Sequence, residues 1–395
     1  MMVLRRFAAC VLIVLSLSAY GKTTPEKSSP AKTKNSMTDI LDNFISLKKF
    51  LVSDEEFQDP HNAAEISTYL KNLDRAVQKT AHDPILNQEN FKFSREVLED
   101  HIHETERVFR LGNKSYARWM MNSTLGVCMS CHTQVPTTDR EFTVFLRSDY
   151  FTSEFDKADF MFATKNFEGA NQVYKSIVAG YPKIYYSSDK LEKSVQRDLI
   201  YQIRVKRDLL TAKQDVNDFL KNDKLPDFLV RNLKTWRDQL SLWITDGLPN
   251  IQDMKPKKII EFAQAKTELT QNPFNSSDPL YISNLVVSGM LYDYLQKNSK
   301  SSITPDALYM LALIDRKLNY SIFYSLPDMY LKECILKFPE NPIAMKCYRE
   351  YEEEMIFGYT GSMGTNIPQE VLEDLKFLKN YVTSKGKSPL QRKAP

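Results

Sequence analysis

The sequence predicts an all-α protein: an N-terminal four-helix bundle followed by a solenoid of helical pairs. Three observations predict it. Glycine is scarce, 11 among 395 residues, while Leu, Lys, Glu and Ala, which favour helices, are common. Apolar residues recur at three-and-four spacing along most of the chain, and the period-two alternation of half-buried strands is nearly absent. Prolines fall mostly between the periodic segments, where they stop one helix or open the next. The formal charge of +3 is close to balance and gives no case for nucleic-acid binding.

The chain opens with Arg5 and Arg6, continues through the apolar "FAACVLIVLSLSAY" from Phe7 to Tyr20, and reaches a small-residue cut site after Gly21. Residues 1–21 therefore read as a secretory signal, and the mature chain is expected to be exported to the periplasm. The apolar run falls short of the roughly 20 residues of a membrane span; left uncleaved, it would act as an N-terminal anchor. Cys10 stands before the apolar stretch instead of after it, which argues against a lipoprotein signal. No later stretch reads as a membrane span. Residues 22–36, "KTTPEKSSPAKTKNS", hold no apolar side chain larger than Ala, cannot build a core, and are expected to form a disordered tether.

Residues 37–136 are expected to form the bundle. The first helix carries Met37, Ile40, Leu41, Phe44, Leu47 and Leu51 on one side. Asp59-Pro60 breaks the chain, and a second helix with Ile66, Tyr69, Leu70, Leu73 and Val77 runs to Asp83-Pro84. A third spans about 91–111, with Val97, His101, Thr105 and Val108 in one stripe beside Leu98, Ile102 and Phe109, and Gly112-Asn113 closes it. The fourth begins near Lys114, lines up Tyr116, Met120, Val127 and Cys131, and ends at Pro136.

Near the end of that fourth helix stands "CMSCH", residues 128–132. The chain has only five cysteines and five histidines, and composition alone would place such a string in about one chain in a thousand. A redox dithiol of the thioredoxin type expects a βαβ setting, and the flanks here are helical. A zinc site needs four ligands, and no second Cys/His cluster completes one.

Cys-x-x-Cys-His resembles the attachment signature of c-type haem, in which two thioethers hold the porphyrin and the histidine ligates iron. The resemblance implies one covalent haem c, with Cys128 and Cys131 bonded to it and His132 as proximal ligand. One helical turn separates the two sulfurs. Four helices with the site near the end of the last look like the cytochrome c-prime family and its low-spin relatives. That likeness covers about a quarter of the chain and, beyond CMSCH, rests on layout. It departs from the family at "TQVP", residues 133–136, where an aromatic and a basic residue usually follow the histidine.

The same resemblance raises the question of the sixth iron ligand. Low-spin relatives place a methionine near the start of the first helix, where this chain has Met37. A thioether there raises the reduction potential relative to two imidazoles, and the alternative reading is that Met37 fills the core. His101, on an apolar stripe, is the rival ligand or else a hydrogen-bonded core histidine. Met120 and Met121, on the helix of the motif, are expected at the haem edge. His61, His82 and His103 read as solvated.

Residues 150–385 are expected to form the helical pairs, with a flexible tail over 386–395. Residues 159–182 resemble the second half of the tetratricopeptide repeat through Ala170, Tyr174 and Pro182, although Ala158 replaces the usual glycine and no tryptophan precedes it. A second pair spans 330–352, where Phe338-Pro339 ends one helix and Pro342 opens the next. Between them, helices are expected over 199–220, 228–244, 259–269, 280–295 and 307–318. Such pairs stack into a curved array with an exposed groove for a peptide or protein. Trp236 and Trp243, seven apart, read as core.

Cys334 and Cys347 stand five residues before Pro339 and five after Pro342, level with each other on two antiparallel helices. In an exported protein they are candidates for a disulfide; two buried thiols are the alternative. No nucleophile with its base and no second haem motif stands out, so an enzyme is the weaker class. The expected function is periplasmic single-electron transfer to a redox partner protein, with the helical pairs docking that partner. A haem-based gas or redox sensor and a haem-free interaction protein are the alternatives.

Overall fold

The structure, a computed structural model, describes residues 30–83, 86, 89–133, 150–267, 280–298, 301–318, 326–362 and 364–387. The expected signal (1–21), the first part of the tether and the last residues of the tail lie outside them. The described chain is all-α. Beside its helices it holds one antiparallel two-residue hairpin, Thr360–Gly361 with Gly364–Thr365.

The first unit comprises α1 (Pro30–Leu51), the short α2 (Asp54–Gln58), α3 (Ala63–Lys79), α4 (Glu89–Arg110) and α5 (Lys114–His132). α1 packs on α3, α3 on α4 and α4 on α5, while α5 returns to α1 and α2. The predicted stripes supply its core: Leu41, Phe44, Leu47 and Leu51 from α1, Ile66, Leu70, Leu73 and Val77 from α3, and Ile102, Val108 and Phe109 from α4. Burying each such side chain contributes about 1.5–3 kcal/mol. Phe57 of α2 closes one end, edge-on to Phe109.

Two expectations for this unit need correction. α1 begins at Pro30, so residues 30–36 of the expected tether are helical. Tyr116, expected on the inner stripe of the fourth helix, is 47% exposed and stacks on Trp119 at the surface. Ala117 takes the inner position instead, fully buried.

The second unit runs through α6 (Glu154–Ala163), α7 (Phe167–Gly180), α8 (Ser188–Ile200), α9 (Leu209–Phe219), α10 (Asp227–Asp246), α11 (Pro256–Thr267), α12 (Tyr281–Lys297), α13 (Thr304–Lys317), α14 (Leu326–Lys337), α15 (Pro342–Gly358) and α16 (Gln369–Thr383). Most of these helices pack on their neighbours in sequence. Side-chain caps set several starts: Ser153 accepts from the Asp156 amide, Asn166 from Gly169 and Asp208 from Thr211, each satisfying an orphan donor of the first turn. Ala158, Phe162, Ala170 and Tyr174 join α6 to α7, and Trp236 and Trp243 are both buried.

The single helix expected over 199–220 is two helices. After α8 the chain widens into a π-turn, Tyr201–Val205, and Arg207 takes a left-handed conformation at φ 59° before α9. The Arg207 guanidinium holds this corner through Asp293 at 2.7 Å and the Gly289 carbonyl at 3.2 Å. Periodicity did not reveal the break because apolar residues continue through it.

Cys334 of α14 and Cys347 of α15 form a disulfide, with Cα atoms 6.3 Å apart and both residues fully buried. Bridging a loop of this length is worth about 3 kcal/mol in the chain-entropy model. The Cys334→Ala/Cys347→Ala protein should therefore unfold at a lower urea midpoint, by about that free energy. An unchanged midpoint would mean that the reduced chain is already restrained there.

Candidate functional site

Residues 128–132 occupy the last turn of α5, where the helix passes from one core to the other. Ala117, Met120 and Met121 are buried in the first unit's core, whereas Cys128 and Met129 pack against the core of the second. Met121, Leu125, Cys128 and His132 recur at four-three-four spacing and share one stripe. Cys131 lies in the same turn; its side chain is outside the described residues.

The decisive contact comes from α6. His132 Nδ1 lies 2.5 Å from the carbonyl oxygen of Ala163, the last residue of that helix. A C-terminal carbonyl has no acceptor role inside its own helix, so it is available to take this bond. A ring nitrogen facing a carbonyl must carry a proton; Nδ1–H donates, and Nε2 keeps its lone pair. Among the described residues Nε2 has no hydrogen-bond partner. Although the residue as a whole is only partly buried, enclosure of the ring and the nearby Lys165 ammonium pull its pKa down to about 3, against the pull of the Ala163 bond. The imidazole is therefore neutral above about pH 4, the form a metal ligand requires.

No family model, curated protein or solved structure matches this chain.

Arg118, near the start of α5, donates from Nη2 to the Leu51 carbonyl at the end of α1, at 2.8 Å. Met37 lies fourteen residues before Leu51 and His132 fourteen after Arg118, about 21 Å along each helix at 1.5 Å per residue. α6 runs beside both helices, with Phe160 against Phe44 midway between Met37 and Leu51 and Ala163 on His132. Partly buried Met37 thus stands at the His132 end of the unit.

His101 does not. Its Nε2 meets the Met120 carbonyl at 2.9 Å and the Thr124 hydroxyl at 3.1 Å, and Thr124 lies eight residues, about 12 Å, before His132. Burial lowers its pKa, partly offset by the Met120 bond. It is a hydrogen-bonded core histidine. Met120 and Met121, expected at the haem edge, lie about three turns from His132 and fill the first core. His103 is mostly exposed and faces Asp74 at 3.3 Å.

Among the described residues no group of three or more His, Cys, Asp or Glu could hold a metal ion unaided. A porphyrin brings four nitrogens of its own and asks the protein for an axial base and two thiols. Cys128 and His132, on one stripe with a tautomer-fixed imidazole, fit that request. The structural signal that sequence reasoning missed is the Ala163 carbonyl, contributed from 31 residues away.

Proposed function

We propose that the chain is an exported mono-haem c-type cytochrome that exchanges single electrons with a partner protein. In this reading α1, α3, α4 and α5 form a cytochrome c-prime-like bundle, and the helices from α6 onward form a tetratricopeptide-like array that docks the partner. The observation that carries it is the Nδ1–H bond from His132 to Ala163, one residue beyond a Cys-x-x-Cys pair. A ligating histidine characteristically donates its second nitrogen to a carbonyl or carboxylate, which fixes the tautomer and ring orientation.

When bound, haem c supplies a one-electron iron couple. Cys128 and Cys131 would hold it covalently, and His132 would present Nε2 to the iron. The Ala163 carbonyl keeps the proton on Nδ1 and stops the ring from turning. Enclosure keeps the imidazole neutral and excludes water from it. Met37 would be the candidate for a further iron ligand, through its thioether sulfur.

The test is expression with haem-ligation machinery, followed by intact mass and haem staining on a denaturing gel. The processed chain should carry the mass of one haem, and Cys128→Ala together with Cys131→Ala should abolish covalent staining. A colourless protein of amino-acid mass alone would reject the cytochrome and leave an interaction protein. Met37→Ala should remove the methionine–iron charge-transfer band of the oxidised form. A native ferrous protein that is high-spin and binds CO would instead favour a gas sensor.

A further inference from the structure

A cavity of about 440 Å³ opens between α1, α5, α6 and α8; Leu125, which shares the Cys128 stripe of α5, lines it, but neither Cys128 nor His132 does. It lies at the seam of the two cores. We propose that it is a binding site for a small organic monocarboxylate with an apolar body.

Charge argues first for the anion. Lys48, Arg118 and Arg197 line the cavity against Asp156 and Asp159, an excess of one positive charge. Two of the cations are deeply buried, the side chains of Lys48 and Arg197 being 5% and 3% exposed. Asp54 approaches Arg118 only at 3.9 Å and from an exposed position outside the lining. Lys48 and Arg197 are each paired with one aspartate, so the excess rests on Arg118, 24% exposed, which a carboxylate entering the cavity would neutralise.

Hydrogen bonding points the same way. Every carboxylate oxygen in the lining already accepts. Asp156 takes both its bonds from Lys48 and another from the Thr152 amide. Asp159 takes them from the Tyr174 hydroxyl and from Nε and Nη2 of Arg197. Arg197 Nη1, by contrast, is buried with no hydrogen bond. This buried donor has no hydrogen-bond acceptor among the described residues, and a carboxylate oxygen would supply one.

The remaining wall is apolar. Leu51 and Leu125 line the interior, and half-exposed Trp119 stands in the lining with one face on Tyr116. An aromatic or short aliphatic body would cover these surfaces while its carboxylate meets the cations, the usual division of labour in a ligand pocket. The site does not depend on haem: its lining includes neither Cys128 nor His132.

The experiment is calorimetric titration of the full chain with 2-naphthoate, and with 2-naphthylmethanol as its uncharged counterpart. Saturable binding is expected for the acid, at least about tenfold tighter than for the alcohol. Arg118→Gln should weaken the acid by a similar factor. Asn122→Trp, at an exposed lining position where folding tolerates bulk, should abolish binding without changing the melting temperature. The Cys128→Ala/Cys131→Ala protein should bind as the parent does, which separates this site from the haem reading. Absence of saturable heat, equal affinity for acid and alcohol, or full binding by Asn122→Trp would overturn the proposal.

Discussion

Raising the pH from about 5 to about 8 is expected to destabilise the second unit, and Asp198→Asn is expected to remove much of that dependence. Asp198 of α8 is fully buried, and both its oxygens lack a hydrogen bond. The Lys175 ammonium lies 2.7 Å from Asp215 and 3.7 Å from Asp198. Two carboxylates therefore share one ammonium, and the cluster is one positive charge short of neutrality. The Gln202 amide donates to Asp215 at 2.9 Å and Asn171 pulls weakly on Asp198, but neither carboxamide carries a charge.

A proton does. Burial first, then Asp215, pushes the Asp198 carboxyl up to about 8, with Lys175 pulling back. In the unfolded chain the same group titrates near 3.9. Between those values the native state holds a proton that the unfolded state has released, so unfolding becomes easier as pH rises and the contribution levels off above about 8. At about 1.4 kcal/mol per unit, the whole effect is of the order of a few kcal/mol. Urea unfolding of parent and Asp198→Asn at matched pH isolates it: the two should be close at pH 5 and the variant more stable at pH 8. Parallel curves across that range would show that Asp198 is ionised throughout.

The sequence made visible what depends on local pattern. The stripe Leu41, Phe44, Leu47 and Leu51 is buried as its spacing requires, and α10 to α13 lie within a few residues of their predicted positions. Cys334 and Cys347 could be paired because two prolines fix the turn between them. What stayed hidden depends on contacts remote in sequence. Lys48 looks like a surface lysine of an amphipathic helix, yet it is buried because Asp156, 108 residues on, receives it. His132 could be singled out as a candidate ligand, but its partner, the Ala163 carbonyl, could not be found from sequence. Met120 and Met121 fill the first unit's core about three turns from His132, a placement that sharing a helix with the motif did not reveal.

Neutralising either member of the Arg204–Asp315 pair should cost about 3–5 kcal/mol, while replacing both should restore most of the loss. Arg204 sits in the π-turn after α8 and Asp315 on α13, with Nη1 to Oδ1 at 3.2 Å and side chains 1% and 0% exposed. Burial raises the Asp315 pKa and Arg204 opposes it, so the carboxylate is tolerated in the core because the guanidinium is there. Arg204→Met leaves a carboxylate with its partner gone in a dry interior, and Asp315→Leu leaves a guanidinium. Arg204→Met/Asp315→Leu leaves neither, and its apolar side chains fill comparable volume. The pair joins residues 111 apart in sequence, so the urea midpoint of the second unit reports the loss. A double-mutant cycle should give a coupling of at least about 2 kcal/mol. Additive losses in the double variant would show that the two charges are stabilised separately, by other groups around each of them.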